Sequence, residues 1–203
     1  ADEQTRAIMC AAIRNYSHGK SGIHRRVVEA LLALLNRGIT PQVPSQGSVG
    51  YLTHMAHIGI ALLGVGNVSY RGQIVSAQQA LAEEGLQPVQ LGAKDGLCLV
   101  NGTPCMTGLS CLAIADAARL VQWADVIGAM SFEAQRGQIA AFDAEIIALK
   151  PHPGMQQVGI NLRALLDGSE VIASSKGIRT QDALSIRSIP QVPVSYTHLT
   201  LPT

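Results

Sequence analysis

The stretch from Met106 to Met130 limits what this chain can fold into more than any other. Its apolar residues Leu109, Leu112, Ile114, Leu120, Val121, Trp123, Val126 and Ile127 recur at helical spacing, yet they fall nearly all round the helix. Such a helix cannot rest one face on a core and leave the other in water, so it must be central to a bundle or an oligomer. Composition agrees. Hydrophobic residues make up 47% of the chain and aromatics only 3%, so the core is built from Ala, Leu, Ile and Val, which suits close helix packing better than a β-sandwich. A mainly α fold, a bundle of long helices, is expected. One domain or a little more fits 203 residues, at a soft prior of roughly 150 per domain.

Shorter helices read from the same pattern. Residues 4–14 are already helical. Val27 to Leu35 places Val27, Val28, Leu31, Leu32, Leu34 and Leu35 on one broad face, with Ser21 as a possible N-cap and Gly38 just past the end. The prolines and glycines of Thr40 to Gly50 deny helix and predict an ordered loop. Further helices are expected over Leu52–Leu63, from Ser76 to a Gly85 cap with Gln79 completing a capping box, and over Val158–Leu166, closed by Asp167-Gly168. An irregular stretch then leads to Pro190 and Pro193. No internal repeat is present.

Several function classes are disfavoured. A formal charge of +1, with no basic run longer than Arg25-Arg26, argues against nucleic acid or an anionic membrane as partner. No stretch reaches the roughly 18 uninterrupted apolar residues of a membrane span. The first residues, Ala1-Asp2-Glu3-Gln4, lack the basic and apolar pattern of a signal peptide, and a cytoplasmic protein is expected. Cys10, Cys98, Cys105 and Cys111 form no metal spacing and read as reduced, mostly buried thiols. His54 and His57 lie three apart on a helix, but no acidic third ligand follows, so no metal is expected and two structural histidines are the favoured reading. Gly64-Val65-Gly66 has no strand before it and reads as a helix-terminating turn. Lys94 to Thr103 is a strand-like or helical apolar run that leads into an Asn-Gly turn. By composition, Gln181-Asp182 with Arg187 is a polar cluster on an irregular segment.

Taken in order, certain blocks carry more. These are Gly47-Ser48-Val49-Gly50, Met55-Ala56-His57-Ile58, Lys94-Asp95-Gly96-Leu97 through Val100-Asn101-Gly102-Thr103, Phe142-Asp143, Pro151-His152-Pro153-Gly154, and Gln181-Asp182-Ala183-Leu184-Ser185-Ile186-Arg187 with Pro190-Gln191-Val192. Their order over residues 4–192 strongly resembles the aromatic amino-acid ammonia-lyase family, on its histidine ammonia-lyase side. The resemblance implies the central part of a fumarase/aspartase-like helical fold and a homotetramer. It also implies non-oxidative elimination of ammonia from L-histidine, or another aromatic amino acid, to the unsaturated acid. The family binds no separate cofactor. Its electrophile is a methylidene-imidazolone that an Ala-Ser-Gly triplet makes of itself: the glycine nitrogen closes on the alanine carbonyl and the serine loses water. Asn101 is expected beside that electrophile and the substrate carboxylate, Gln181 in the catalytic set, and Arg187 as a bidentate clamp on the carboxylate.

The chain departs from that pattern at defined places. In the family the triplet directly follows Gly-Ser-Val-Gly; here Gly47, Ser48, Val49 and Gly50 run straight into Tyr51, as though three residues had been removed. A shifted alignment would put Ser48-Val49-Gly50 in the slot, and valine cannot lose water. Leu184 stands where a tyrosine is expected. The family's tyrosine base is expected upstream of residue 1. The helical start and the unmatched run 193–203 make the chain read as an internal part of a longer enzyme with a non-native or disordered tail. A catalytically inactive homologue, kept for binding or assembly, is the alternative reading. A mature chain in which the triplet has fused into one group is a third.

Overall fold

The computed structural model describes residues 2–47 and 52–192, and helix dominates it, with 62% of the chain helical and 5% strand. The expected mainly α class is therefore observed. The chain divides into two compact units, residues 1–115 and 116–203.

In the first unit, α1 (Asp2–Tyr16) buries Thr5, Ile8, Met9, Ala12 and Tyr16, a spacing of three to four that lays one stripe on the core. Asp2 and Glu3 in its first turn and Arg14 in its last suit the helix dipole. Helix α2 (Arg25–Asn36) buries Val27, Leu31 and Leu34. It closes as expected at Gly38: the Gly38 N–H donates to Leu35 O and the Ile39 N–H to Leu34 O, with Gly38 at φ +67°. Ser21 is not its cap. The helix begins one turn later, after His24, and Ser21 Oγ instead accepts from the Ile23 N–H in a local turn.

The expected loop at Thr40 holds a strand. β1 (Thr40–Pro41) pairs antiparallel with β2 (Asn67–Tyr70), which pairs with β3 (Gln73–Ser76) in the order β1-β2-β3. The β2–β3 turn is Arg71-Gly72, both with positive φ (49° and 78°), the two-residue geometry that matches strand twist. Arg71 tolerates it by lying over the Tyr70 ring at 4.8 Å and pairing with Glu84 at 3.1 Å. Helix α3 (Leu52–Leu62) ends at Gly64 and Gly66, the turn expected there. Helix α4 (Ala77–Glu83) has half of the expected capping box: Ser76 Oγ accepts from the Gln79 N–H, while the Gln79 side chain turns to Glu83.

The ambiguous run after Lys94 is helical, α5 (Asp95–Val100), and three residues separate it from α6 (Pro104–Ala134). At 31 residues α6 is about 46 Å long. Its Gly108 lies against the α1 backbone, where a Cβ would come within 2.7 Å of Ala7 and Ile8. Only glycine fits that crossing.

The second unit takes the later part of α6, a short 3-10 turn (Ile139–Phe142), α7 (Ala144–Ala148), α8 (Pro153–Leu165), α9 (Glu170–Ser175) and α10 (Leu184–Arg187). Its core centres on Phe132 and Phe142, ring centroids 4.5 Å apart, with Ile147, Val158, Leu162 and Ile172 around them. His152 caps α8 through Nδ1, and Asp143 caps α7 through its carboxylate. On α6 itself Leu120, Trp123, Ile127 and Met130 are exposed at heptad-like spacing, so this chain leaves open the face that the all-round apolar pattern requires to be covered. By length and composition alone the run Asp95–Ala134 could also cross a membrane, because scattered small and polar residues interrupt its apolar runs without making it polar.

The expectation of mostly buried thiols needs correcting. All four cysteines are free, but only Cys98 and Cys105 are buried; Cys10 and Cys111 lie on exposed helix faces.

Candidate functional site

In the first unit the site segment is α5 with Asn101 at its C-cap. Asn101 is exposed, and its extended backbone (φ −88°, ψ 154°) turns the chain out of the helix. Both ends of α5 are tied down. At the start, the Asp95 carboxylate is fully buried and accepts from the His24 N–H (2.8 Å) and the Gly92 N–H (2.7 Å). His24 Nδ1 lies 2.9 Å from one carboxylate oxygen and Arg26 Nη2 3.4 Å from the other. Burial acts to raise the Asp95 pKa, but the two backbone donors and the His24 imidazole outweigh it and hold the carboxyl at about 2. At the end of α5, the buried Tyr16 hydroxyl donates to Cys98 O at 3.0 Å, and burial, with the Cys98 thiol beside it, pushes the phenol up to about 12. Tyr16 therefore stays protonated and serves as a donor at any ordinary pH.

Helix α3 packs on α5 so closely that a Cβ at Gly59 would meet Leu99 at 3.6 Å. Leu52, Thr53, Ala56, His57, Ile60 and Val100 line an open recess of roughly 280 Å³ beside Asn101's helix. His57 thus faces a recess, while His54 Nδ1 is buried without a hydrogen-bond partner among the described residues. Gly47 is described and adopts φ +89°. Ser48, Val49, Gly50 and Tyr51 lie outside the described residues.

In the second unit Gln181 and Arg187 fall on one segment. Gln181 is exposed; Arg187 ends α10, is half-buried, and has a buried Nε with no hydrogen-bond partner among the described residues. Leu184, at the position where the resemblance expects tyrosine, is 67% exposed. The expected irregular segment is held by side chains rather than by secondary structure. Gln138, just beyond α6, donates from Nε2 to Ser175 O (2.6 Å) and accepts from the Gly177 N–H (3.0 Å). Arg179 Nη2 donates to Gln135 O and Arg136 O, in the turn that follows α6. Asp182 accepts from the Gln138 N–H at 2.6 Å.

Asp95, Tyr16, Gln138, Arg179 and Asp182 did not stand out as site-supporting residues. Each has at least one partner 44 or more positions away. Only the placing of Asp95 and Asp182 inside family-like blocks hinted at a role.

The residues present do not fit the electrophile that the resemblance implies. Its chemistry needs a serine that can lose water between a small residue and a glycine, and no Ala-Ser-Gly occurs anywhere in the sequence.

Comparison with known proteins agrees with the residue pattern. The family model for aromatic amino acid lyase matches residues 1–197. The chain is 43% identical over 195 residues to histidine ammonia-lyase of Sorangium cellulosum and 44% identical over 195 residues to that of Deinococcus radiodurans. Those matches take in 94% of this chain but only 38% and 37% of the relatives' own lengths. Among solved structures, tyrosine aminomutase from Streptomyces globisporus is similar at TM-score 0.87 and 34% identity, over 98% of this chain and 41% of that one. Histidine ammonia-lyase from Trypanosoma cruzi follows at TM-score 0.85 and 33% identity, over 98% and 37%. Fold and neighbours define the class, the helical ammonia-lyases and aminomutases. The chain belongs to the aromatic amino acid lyase family.

Proposed function

We propose that this chain belongs to a cytoplasmic, homo-oligomeric ammonia-lyase of the histidine ammonia-lyase type. Its substrate is L-histidine or another aromatic amino acid, and its products are ammonia and the unsaturated acid. The observation that carries this reading is 43–44% identity to histidine ammonia-lyases over almost the whole chain. In the reaction the substrate loses a β-proton to a base and its amino group departs, while its carboxylate stays charged throughout. This chain supplies groups for that constant charge. The Arg187 guanidinium pairs with the carboxylate, and its buried Nε, without a hydrogen-bond partner among the described residues, is a donor available to that acceptor. Asn101 and Gln181 add amide donors and acceptors. The exposed stripe Leu120, Trp123, Ile127 and Met130 supports burial of α6 against further copies of the chain. Four free thiols suit a reducing compartment.

A second reading has its own support. The absent triplet and Leu184 both favour a homologue that binds an amino acid without turning it over. The two separate in a chimera in which residues 1–192 replace the matched stretch of the Deinococcus radiodurans enzyme, made with and without Ala-Ser-Gly inserted after Gly50. The lyase reading expects urocanate or cinnamate absorbance only with the insert. A well-folded, correctly assembled chimera that stays silent even with the insert supports the non-catalytic scaffold, and turnover without the insert would show that the triplet is not needed. Intact mass above the 21.4 kDa of the 203 residues would show instead that the triplet has matured into a fused group.

A further inference from the structure

We infer that Asp182 is the positioning residue for Gln181 and Arg187, acting through the end of the long helix rather than on the substrate. The inference rests on the proposed reading for what those two residues do, but not for how they are held. Asp182 has a side chain with no solvent exposure, on a segment that has no regular structure from Lys176 to Ala183. A carboxylate is costly to bury, so its partners must hold it firmly. One oxygen accepts the Gln138 N–H at 2.6 Å. The other lies 3.0 Å from Arg179 Nε as an ion pair without hydrogen-bond alignment, so that oxygen is held by charge alone.

Arg179 is itself fixed by Gln135 O at 2.6 Å and Arg136 O at 3.0 Å, and Gln138 reaches back to Ser175 and Gly177. Asp182 therefore closes a ring of contacts between residues 135–138 and residues 175–182. Gln181 is its direct neighbour, and α10 with Arg187 starts two residues later. On the far side Ile186 is buried in the core and Ile189 lies against Gly128, where a Cβ would sit 3.2 Å away. With both flanks pinned, Gln181 and Arg187 keep one spacing; with Asp182 gone, only the Ile186 flank remains.

The test uses the 203-residue chain with Asp182→Ala, Asp182→Asn and Arg187→Ala, hydrogen–deuterium exchange by mass spectrometry, and calorimetric titration with L-histidine. Asp182→Ala is expected to speed exchange of residues 181–188 about tenfold or more while α8 stays protected, and to weaken L-histidine by about tenfold. Asp182→Asn keeps an acceptor for the Gln138 N–H and is expected to recover most of both. Unchanged exchange at 181–188, or equal loosening of α8, overturns the positioning role in favour of no role or a purely structural one. Arg187→Ala is expected to abolish L-histidine binding without altering exchange. If it leaves binding unchanged, or if the unmodified chain binds nothing, the carboxylate reading fails while the exchange data still decide the role of Asp182.

Discussion

Two buried polar side chains do most to hold the Asn101 segment, and each has a distinct signature. Asp95 has a folded pKa of about 2 against an ordinary aspartate value near ~3.9, so its folded state binds fewer protons than the unfolded chain between those values. Its contribution to stability is fully present above about pH 4 and drains away as pH falls toward 2. Melting temperature measured from pH 5 down to 2 should therefore fall steeply, and Asp95→Asn should flatten that fall; an unchanged slope would falsify the assignment. Tyr16→Phe removes a donor from Cys98 O and should cost about 1 kcal/mol in denaturant unfolding, as a typical net hydrogen bond does. Its second signature is spectroscopic. Tyr16 should ionise only near pH 12, and that step should vanish in the variant.

Among the elements, the helices whose apolar residues repeat cleanly were legible, and their closing glycines were too: Gly38, Gly64 and Gly85 each end a helix at positive φ. The sheet was not. A hairpin of four-residue strands with Arg at the first turn position lacks the Asn-Gly or Asp-Gly signal, and β1 is two residues long with a proline in it. Its stability comes from Val68 and Tyr70 buried against the core, a tertiary cause that no local pattern displays. Ser21 failed as a cap for a similar reason, because the buried Asp95, 71 residues on from His24, fixes where α2 begins. The α1–α6 crossing gives a test at this scale. Gly108→Ala puts a methyl group into the backbone of Ala7 and Ile8 and should destabilise by about 1–3 kcal/mol, the usual range for overpacking. A variant as stable as the parent would mean that the helices can separate there without loss.

For the whole molecule, family and fold class were legible because collinear blocks survive insertion and drift. The candidate site was legible only as residue identities: Asn101, Gln181 and Arg187 could be named, whereas the clamps that present them could not. The exposed α6 stripe carries the assembly prediction. Leu120→Lys with Trp123→Lys should convert an oligomer to a monomer by light scattering while leaving helix content unchanged; a parent chain that is already monomeric at high concentration would remove the oligomeric reading.

One difference between the units concerns time rather than shape. The first unit is closed by hydrogen bonds between residues 71 to 83 positions apart, Tyr16 to Cys98 and Leu99 and His24 to Asp95. The side-chain bonds described within residues 116–192 span 44 positions or fewer. Loop closure slows with sequence separation, so the later half of the chain should gather its native contacts first in refolding, although a ribosome makes it after the first half. During synthesis α1 and α2 would wait, with Ile8, Val27 and Leu31 uncovered, until Leu99 emerges, and it is in that interval that a chaperone would have most to bind.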